Sequence, residues 1–311
     1  MNNPGWIDLQ VNGCLGVDFS DATLTEEQFL RCAEWTLGQG TEVFLPTIIT
    51  SPWEIYRRNC ELIRNAVESH GLRRHIPGLH LEGPFLNPAP GSIGAHNPAW
   101  TQLASVEAVR RLYDYCGGFL CLLTLGAEVP GAAEAIAEAR RLNVIPSVGH
   151  HLATPEDVRK AADAGAVNLT HLGNGCPGMV DRHHNPIWSG LGEDRLTAMI
   201  ITDGQHIPPE LIKTFIRTKG VDHIIVTSDA ASVAGLPPGK YFLAGNDGVL
   251  EPNGKFWNPS KNCLIGASAP IAKCMEYLSS LQLLSEEELV QVGRTNALRE
   301  LREICHYDGG L

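Results

Sequence analysis

The chain has 311 residues, of which 43 % are hydrophobic and only 19 % are charged, so it can bury a substantial core. Its 24 Lys and Arg residues against 35 Asp and Glu residues give a formal net charge of -11, which repels the phosphate backbone of nucleic acids and anionic lipid surfaces. The composition therefore argues against a nucleic-acid partner, and no stretch approaches the roughly 18 apolar residues of a membrane span.

The cysteines and the first residues bear on the cellular compartment. The nine cysteines are scattered without a Cys-x-x-Cys pair, and an odd number cannot all pair within one chain. The stretch Met1 to Gly5 has neither a basic segment nor a long apolar core. We therefore expect a protein of the reducing cytoplasm.

Short apolar runs recur along the chain and predict eight strands. Between them lie stretches with helical spacing, such as the one that begins at Thr154-Pro155. Runs that are apolar throughout indicate strands buried on both faces, as in a parallel sheet. Eight βα units predict an α/β fold, a closed (β/α)8 barrel of the TIM type, rather than a doubly wound sheet or two smaller domains. The predicted strands are Trp6 to Val11, Val43 to Ile48, Ile76 to Leu81, Phe119 to Leu125, Val144 to Val148, Ala166 to Thr170, Leu196 to Ile201 and His223 to Thr227.

The region after the eighth strand interrupts this alternation. Residues 235–262 carry several Gly, Pro and Asn-rich turn sequences around two short strand-like pieces, which predicts an inserted hairpin. Helical segments then follow at about 268–281, 285–293 and 295–305. The sequence thus predicts one barrel domain over residues 1–311, with a hairpin insertion at about 235–262 and C-terminal helices at about 268–305.

Three predicted strands are followed by a potential metal ligand: Glu82, His150 and His171. Barrel enzymes place their chemistry at the carboxyl ends of the strands. Zinc and similar divalent ions bind imidazole nitrogen and carboxylate oxygen, and a catalytic site uses three such ligands and leaves one position for water. Each of these residues alone could be an ordinary hydrogen-bonded polar group, but their coincidence at three strand ends indicates a metal site.

Asp229 follows the eighth predicted strand, in the sequence Val226-Thr227-Ser228-Asp229-Ala230. It would lie across the mouth of the barrel from the other three residues. One interpretation is a helix or turn cap. The other is a carboxylate that accepts a proton from water beside the ion and returns it to a leaving group.

Seven short motifs follow one another along the chain: PGWIDLQVNG from residue 4, HLEGPF from 80, GAHN from 94, GHH from 149, THLGN from 170, TDGQH from 202 and SDA from 228. In this order they resemble the N-acetylglucosamine-6-phosphate deacetylase family of the amidohydrolase superfamily. The resemblance extends from residue 4 to about residue 300. HLEGPF followed by GAHN and the two histidine motifs is specific to that family rather than to barrels in general.

The resemblance implies a metal-dependent hydrolase that converts N-acetylglucosamine 6-phosphate to acetate and glucosamine 6-phosphate. It makes Glu82, His150 and His171 the metal ligands. It makes Asp229 the catalytic acid and base, and it places His96 at the acetamido carbonyl, where it would also contact the substrate.

The resemblance also implies the residues that bind the amino-sugar phosphate. Asn174 and the adjoining Gly175 amide would contact the sugar, and His206 would meet the substrate. Arg182 corresponds to a phosphate-binding arginine that reaches in from a neighbouring subunit, which implies a homodimer. A guanidinium suits a phosphate dianion, especially in an acidic protein. The pair His183-His184 could contact substrate or belong to a solvated loop.

The number and kind of metal ions follow from the first strand. Many superfamily members have His-x-His there, whereas this chain has Gln10-Val11-Asn12, and neither amide is a strong metal ligand. The resemblance is thus to the branch with a single metal ion. Zinc is the expected ion, and iron or another divalent ion would satisfy the same donors.

Two departures from the family pattern leave the substrate open. Family members usually carry a small β-sandwich built from both ends of the chain, and this sequence begins at the Pro-Gly motif, so we expect the sandwich to be absent. The loop Gly173 to Gly178 replaces the usual aromatic and Asn-Ala-Met sequence, and within it Cys176 is expected to be an inert buried thiol. Alternatives are deacetylation of N-acetylgalactosamine 6-phosphate or of an unphosphorylated N-acyl sugar, or a binding protein that kept the pocket without catalysis.

Overall fold

The computed structural model describes residues 5–243 and 245–309. The stretch Met1 to Pro4, which includes the first residue of the first motif, lies outside the described residues. Eight strands lie side by side in chain order, and every neighbouring pair is parallel. All eight predicted strands are present, with ends shifted by up to three residues. The barrel strands are Trp6–Val11, Thr41–Ile49, Leu79–Glu82, Leu120–Leu125, Ile145–Val148, Asn168–Leu169, Thr197–Ile200 and Ile224–Val226.

The sheet curls until its first and last strands meet. Val11 forms a parallel bridge with Ala230, just beyond the eighth strand. Lower in the same seam, the buried Asp8 carboxylate accepts hydrogen bonds from Thr227 Oγ1 at 2.7 Å and from Ser228 N at 3.1 Å. The predicted (β/α)8 barrel is therefore confirmed.

Helices follow the barrel strands and cover the outside of the sheet. Three of the described helices begin with a capping box: the side chains of Thr25, Thr154 and Ser285 accept from the backbone N–H of the third helical residue, and the side chain of that residue accepts from the backbone N–H of the cap. The α-helices are Glu26–Gly38, Trp53–Ser69, Val106–Tyr115, Ala132–Arg141, Pro155–Asp163, Pro186–Leu191, Pro209–Lys219, Ile271–Ser280, Glu286–Val290 and Asn296–Cys305. Short 3-10 turns lie at Leu72–Arg74, Pro98–Trp100 and Val221–His223, and the π-helical segment Gln291–Thr295 joins the last two helices.

The interior of the barrel is layered. At one end, apolar side chains such as Ile7, Leu122 and Met199 pack against Leu301 of the last helix, which closes the barrel there. The next layer is polar and fully buried: His80 Nε2 lies 2.8 Å from Thr124 Oγ1, which in turn lies 2.8 Å from Thr170 Oγ1. Glu82 is two residues beyond His80 on the same strand, so it faces the interior at the carboxyl end of the barrel.

The region after the eighth strand differs from the prediction. The structure has four antiparallel strands there, Gly239–Leu243, Asn246–Leu250, Phe256–Asn258 and Cys263–Leu264, where the sequence predicted one hairpin. The last two strands are too short to produce a readable alternation, which is why the prediction missed them. Phe256 and Ile265 pack with Val233 and Leu250 in a separate buried cluster, which fixes this small sheet against the barrel.

Residues 5–243 and 245–309 contain no β-sandwich beside the barrel. None of the helices in these ranges is both long and apolar enough to cross a bilayer.

Candidate active site and metal centre

Three strand ends bring Glu82, His150 and His171 together at the carboxyl end of the barrel. Glu82 Oε1 lies 3.1 Å from His150 Nε2 and 2.9 Å from His171 Nε2, and the two imidazole nitrogens are 3.0 Å apart. All three side chains are buried. Within the described part of the chain they form the single group of at least three His, Cys, Asp or Glu side chains able to share a metal ion.

The surroundings of His150 indicate that the cluster fits a cation. His150 Nδ1 lies 2.7 Å from the carbonyl oxygen of Ser92, so Nδ1 carries the proton and donates it there. In the neutral ring, Nε2 then presents a lone pair to the carboxylate of Glu82. Two electron-rich atoms in contact are stable only with a cation or a proton between them, and an imidazole whose other nitrogen is held by a carbonyl is typical of a metal ligand.

Burial and hydrogen bonds oppose each other at Glu82. Burial disfavours the charged carboxylate, but its close contacts with the imidazoles of His150 and His171 outweigh burial and hold the pKa of Glu82 below its usual range. The residue therefore stays a carboxylate, which is the form that binds a divalent ion.

His96 lies beside the cluster as a fourth buried polar side chain. Its ring centroid is 4.4 Å from that of His150, and its Nε2 is 3.6 Å from Glu82 Oε2. The backbone N–H of Thr50 donates to His96 Nδ1 at 3.3 Å, so the ring proton resides on Nε2. Burial lowers the pKa of His96 to about 3, which keeps it neutral. His96 can thus donate one hydrogen bond into the site.

Asp229 completes the site from the eighth strand. Its Oδ1 accepts hydrogen bonds from Gln10 Nε2 at 2.9 Å and from Asn12 Nδ2 at 2.7 Å. Burial raises the pKa of Asp229 to about 6, and the negative charge of Glu82 adds to this effect.

The backbone at three of these positions is left-handed. His150, His171 and Asp229 have φ values of 51°, 32° and 53°. Residues other than glycine rarely adopt this left-handed backbone conformation. At an active site it can direct a side chain toward the reacting atoms. Here the turn directs each side chain into the barrel mouth immediately after its strand ends.

The cluster opens into a cavity of about 240 Å³. Asn174, Gly175 and His206 line it, as do Asn12, Glu82, His96, His150, His171 and Asp229. Cys176 also lines the cavity and is half-buried rather than fully buried, and burial raises the pKa of its thiol. The inserted sheet forms part of the wall through Phe256 and Ile265. The substrate residues implied by the resemblance are therefore brought together, with one exception.

That exception is Arg182, which lies on an exposed loop and does not line the cavity of its own chain. The neighbouring His183 and His184 are also exposed, and both of their backbone N–H groups donate to Asp181 Oδ1 at 2.8 Å. Met179 of the same loop is 94 % exposed. None of residues 179–184 lines the cavity beside the metal cluster in the described part of the chain.

Several residues of the site were not predicted from the sequence. Asp203 accepts from His206 Nδ1 at 2.8 Å and so fixes its ring, and the spacing Asp-x-x-His after the seventh strand could have indicated it. Thr50 and Ser92 hold two of the histidines, and no sequence pattern marks them. The contact of Gln10 and Asn12 with Asp229 joins positions more than 200 residues apart, which periodicity does not detect.

Comparison with known proteins gives a consistent result. No protein-family model matches the chain. The N-acetylglucosamine-6-phosphate deacetylase of Homo sapiens is 32 % identical over 289 residues, which are 88 % of this chain and 68 % of that protein. The N-acetylgalactosamine-6-phosphate deacetylase of Escherichia coli O157:H7 is 26 % identical over 298 residues, 96 % of this chain and 77 % of that protein.

Solved structures agree with these sequence relatives. N-acetyl-D-glucosamine-6-phosphate deacetylase from Mycobacterium smegmatis has a TM-score of 0.87 and 26 % identity, and the match covers 96 % of this chain and 78 % of that one. A variant of the same enzyme, in complex with N-acetyl-D-glucosamine-6-phosphate, matches with the same TM-score of 0.87 and covers 77 % of that chain.

A parallel eight-stranded barrel with a carboxylate and two imidazoles converging at its carboxyl end is the architecture of a metal-dependent amidohydrolase. Within that class the relatives are specific. The chain belongs to the N-acetylglucosamine-6-phosphate deacetylase family.

Proposed function

We propose that this chain hydrolyses the acetamide of N-acetylglucosamine 6-phosphate to acetate and glucosamine 6-phosphate. The observation that carries the proposal is the convergence of Glu82, His150 and His171 on one point, with His96 and Asp229 facing the same cavity. The resemblance of the motifs and the names of the relatives support the same substrate.

The metal site is assigned to Glu82, His150 and His171. A divalent ion bound there supplies the positive charge that activates a water molecule and polarises the amide carbonyl. We propose zinc, because two imidazoles and one carboxylate are a common catalytic zinc ligand set.

The remaining steps belong to the side chains around the cluster. Asp229 accepts a proton from the attacking water and delivers it to the amine nitrogen as the C–N bond breaks, so that water and amide become acetate and amine. His96 donates its Nε2 proton in a hydrogen bond to the carbonyl oxygen, where negative charge develops. Both roles need a fixed side chain that faces the cavity; His96 is buried, and Asp229 is partly buried where it lines the cavity.

Substrate contacts are assigned to the cavity wall and to a second subunit. Asn174, the amide of Gly175 and His206 line the cavity and would contact the sugar or its phosphate. Arg182 of the partner subunit would bind the phosphate, since the Arg182 loop is exposed and remote from the cavity of its own chain. This assignment requires a homodimer, which sedimentation equilibrium tests directly.

The odd number of cysteines supports a cytoplasmic protein.

The test combines metal analysis with acetate release. We expect the wild-type protein to hold a divalent ion and to release acetate from N-acetylglucosamine 6-phosphate. Chelation of the ion should abolish acetate release.

Asp229→Asn should keep the metal and lose about 10²- to 10⁴-fold in kcat, because it removes the proton acceptor but no metal ligand. Asp163→Asn, which changes an exposed carboxylate, is the matched control and should remain active. Near-normal release by Asp229→Asn would overturn the assignment of Asp229.

A second substrate is favoured by one observation. The relative from Escherichia coli O157:H7, which matches 96 % of this chain, is an N-acetylgalactosamine-6-phosphate deacetylase. The two sugars differ in the configuration of one hydroxyl group. Comparison of kcat/KM for both 6-phosphates and for unphosphorylated N-acetylglucosamine decides between the three substrates.

A further inference from the structure

Two amides at the carboxyl end of the first strand meet the carboxylate of Asp229, although neither has a role in the reaction proposed above. Gln10 Nε2 and Asn12 Nδ2 both end on the same atom, Asp229 Oδ1, at 2.9 and 2.7 Å. An ionised carboxylate only accepts hydrogen bonds, so each amide must turn its NH₂ group toward Asp229 and its oxygen away. Both contacts occupy Oδ1, which leaves Oδ2 for proton transfer.

The backbone fixes the two amides relative to Asp229. The N–H of Asn12 donates to the carbonyl oxygen of Ala230 at 2.7 Å, and Val11 bridges Ala230. The seam that closes the barrel is therefore the same seam that sets the distance between the amides and the carboxylate. A shift of the first strand along the eighth would break both side-chain contacts at once.

The energetic cost of this arrangement argues against a purely structural role. The carbonyl oxygens Gln10 Oε1 and Asn12 Oδ1 are buried and have no hydrogen-bond partner. Leaving a buried polar atom unpaired costs about 1–3 kcal/mol. An apolar side chain at either position would avoid that cost. Both residues are also neutral, so they orient Asp229 without adding a charge beside Glu82.

We propose that Gln10 and Asn12 are positioning residues that hold Asp229 through Oδ1, so that Oδ2 faces the reacting atoms. The expected kinetic effects rest on the deacetylase function proposed above. The orientation of Asp229 by the two amides does not depend on which substrate binds. In this chain the two amides bind the carboxylate to which the proton transfer is assigned.

The kinetic test uses near-isosteric variants that remove the donors, Gln10→Met and Asn12→Leu, with Asn12→Ala as a smaller substitute should leucine prevent folding. Each variant should keep its metal, and its KM should stay within about twofold of the wild-type value. Its kcat should fall about 10- to 100-fold, which is less than the loss expected when the acid or base itself is removed. The acid limb of the pH–rate profile should move to higher pH, because donors to a carboxylate favour its charged form. The control is Asn296→Ala, a fully buried asparagine whose Nδ2 donates to Ile224 O at 2.7 Å, at the end of the eighth strand opposite to Asp229. It should lower stability and leave kcat and the pH profile unchanged.

The structural test does not depend on activity. A crystal structure of the wild type should show Asp229 in one rotamer. A crystal structure of the Gln10→Met, Asn12→Leu double variant should show Asp229 in a different rotamer or in several rotamers. An unchanged Asp229 rotamer in the double variant, or unchanged kcat and acid limb in the single variants, would overturn the positioning role. If the wild type released no acetate from any of the three sugars, the proposed function would fail, and the rotamer comparison would still decide the role of the two amides.

Discussion

Gly175 lies between two of the metal-site imidazoles. A Cβ atom at this position would be 3.0 Å from His171 Cε1 and 3.1 Å from His150 Nδ1, and the residue has a φ of +60°. Both the space and the backbone conformation therefore favour glycine. This glycine of the loop Gly173 to Gly178 thus has a clear physical reason.

Gly175→Ala should displace the two imidazoles and strain the loop. We expect metal affinity and kcat/KM to fall at least about tenfold, comparable to the loss of an outer-shell contact at a metal site. Gly178→Ala is the matched control, because nothing lies within 4 Å of a Cβ there, and it should behave as the wild type. Metal titration and acetate release measure both. Equal behaviour of the two variants would contradict the close packing around Gly175.

At the level of residues, the sequence predicted the members of the site better than their partners. Glu82, His150 and His171 were predictable because a polar residue directly after an apolar strand lies at the barrel mouth. The tautomers of His96 and His150 were not, since they depend on Thr50 and Ser92 in distant loops. The position of Arg182 outside the cavity was implied only by family resemblance, because a loop residue has no periodicity to place it.

The last helix, Asn296–Cys305, is the element that closes the barrel at the end opposite the active site. It carries a buried carboxyl group, Glu300, whose Oε2 accepts from Asn168 Nδ2 at 2.8 Å. Burial raises the pKa of Glu300 to about 7, well above the ordinary value of 4.5. The helix was predicted from its spacing, but the contact of Glu300 with the sixth barrel strand required the tertiary structure.

This pKa predicts a pH-dependent stability. The folded protein holds the Glu300 proton more tightly than the unfolded chain, so the stabilising effect is complete below about pH 4.5 and is lost as the pH rises to about 7. Glu300→Gln mimics the protonated form and cannot lose a proton. Its free energy of unfolding should match the wild type near pH 4 and exceed it at pH 8 by up to about 3 kcal/mol.

Urea unfolding at the two pH values measures this difference. Glu61→Gln, at an exposed position in the helix Trp53–Ser69, is the control and should differ from the wild type equally at both. A Glu300→Gln difference that is independent of pH would show that Glu300 is ionised in the folded protein.

The barrel as a whole depends on one seam between its first and last strands. Seven of the eight strand junctions are parallel ladders, whereas the eighth is held by the Val11 to Ala230 bridge, the bond from Asn12 N–H to the Ala230 carbonyl and the hydrogen bonds of Asp8. The sequence predicted eight strands and hence closure, because eight βα units form a barrel. It did not predict that a buried carboxylate holds the seam, since Asp8 lies within an apolar run and resembles an isolated exception.

Asp8→Ala should therefore weaken the whole fold. It removes the acceptor of the Thr227 hydroxyl and of the Ser228 N–H and leaves buried donors unpaired, so we expect a loss of about 2–4 kcal/mol in the free energy of unfolding. Asp163→Ala, which breaks an exposed pair with Arg195 at 2.7 Å, should cost less than about 1 kcal/mol. Urea unfolding followed by circular dichroism compares the two, and equal losses would show that the seam does not need Asp8.

The left-handed backbone at His150, His171 and Asp229 lowers the stability of the folded protein but places the side chains that the reaction uses. Each such position costs about 1–2 kcal/mol relative to glycine, and the rest of the barrel must offset the sum. An engineering campaign that ranks variants by melting temperature alone would therefore favour substitutions at these three positions and select against turnover. Libraries for a more heat-resistant form should hold them fixed and draw their gains from the outer helices.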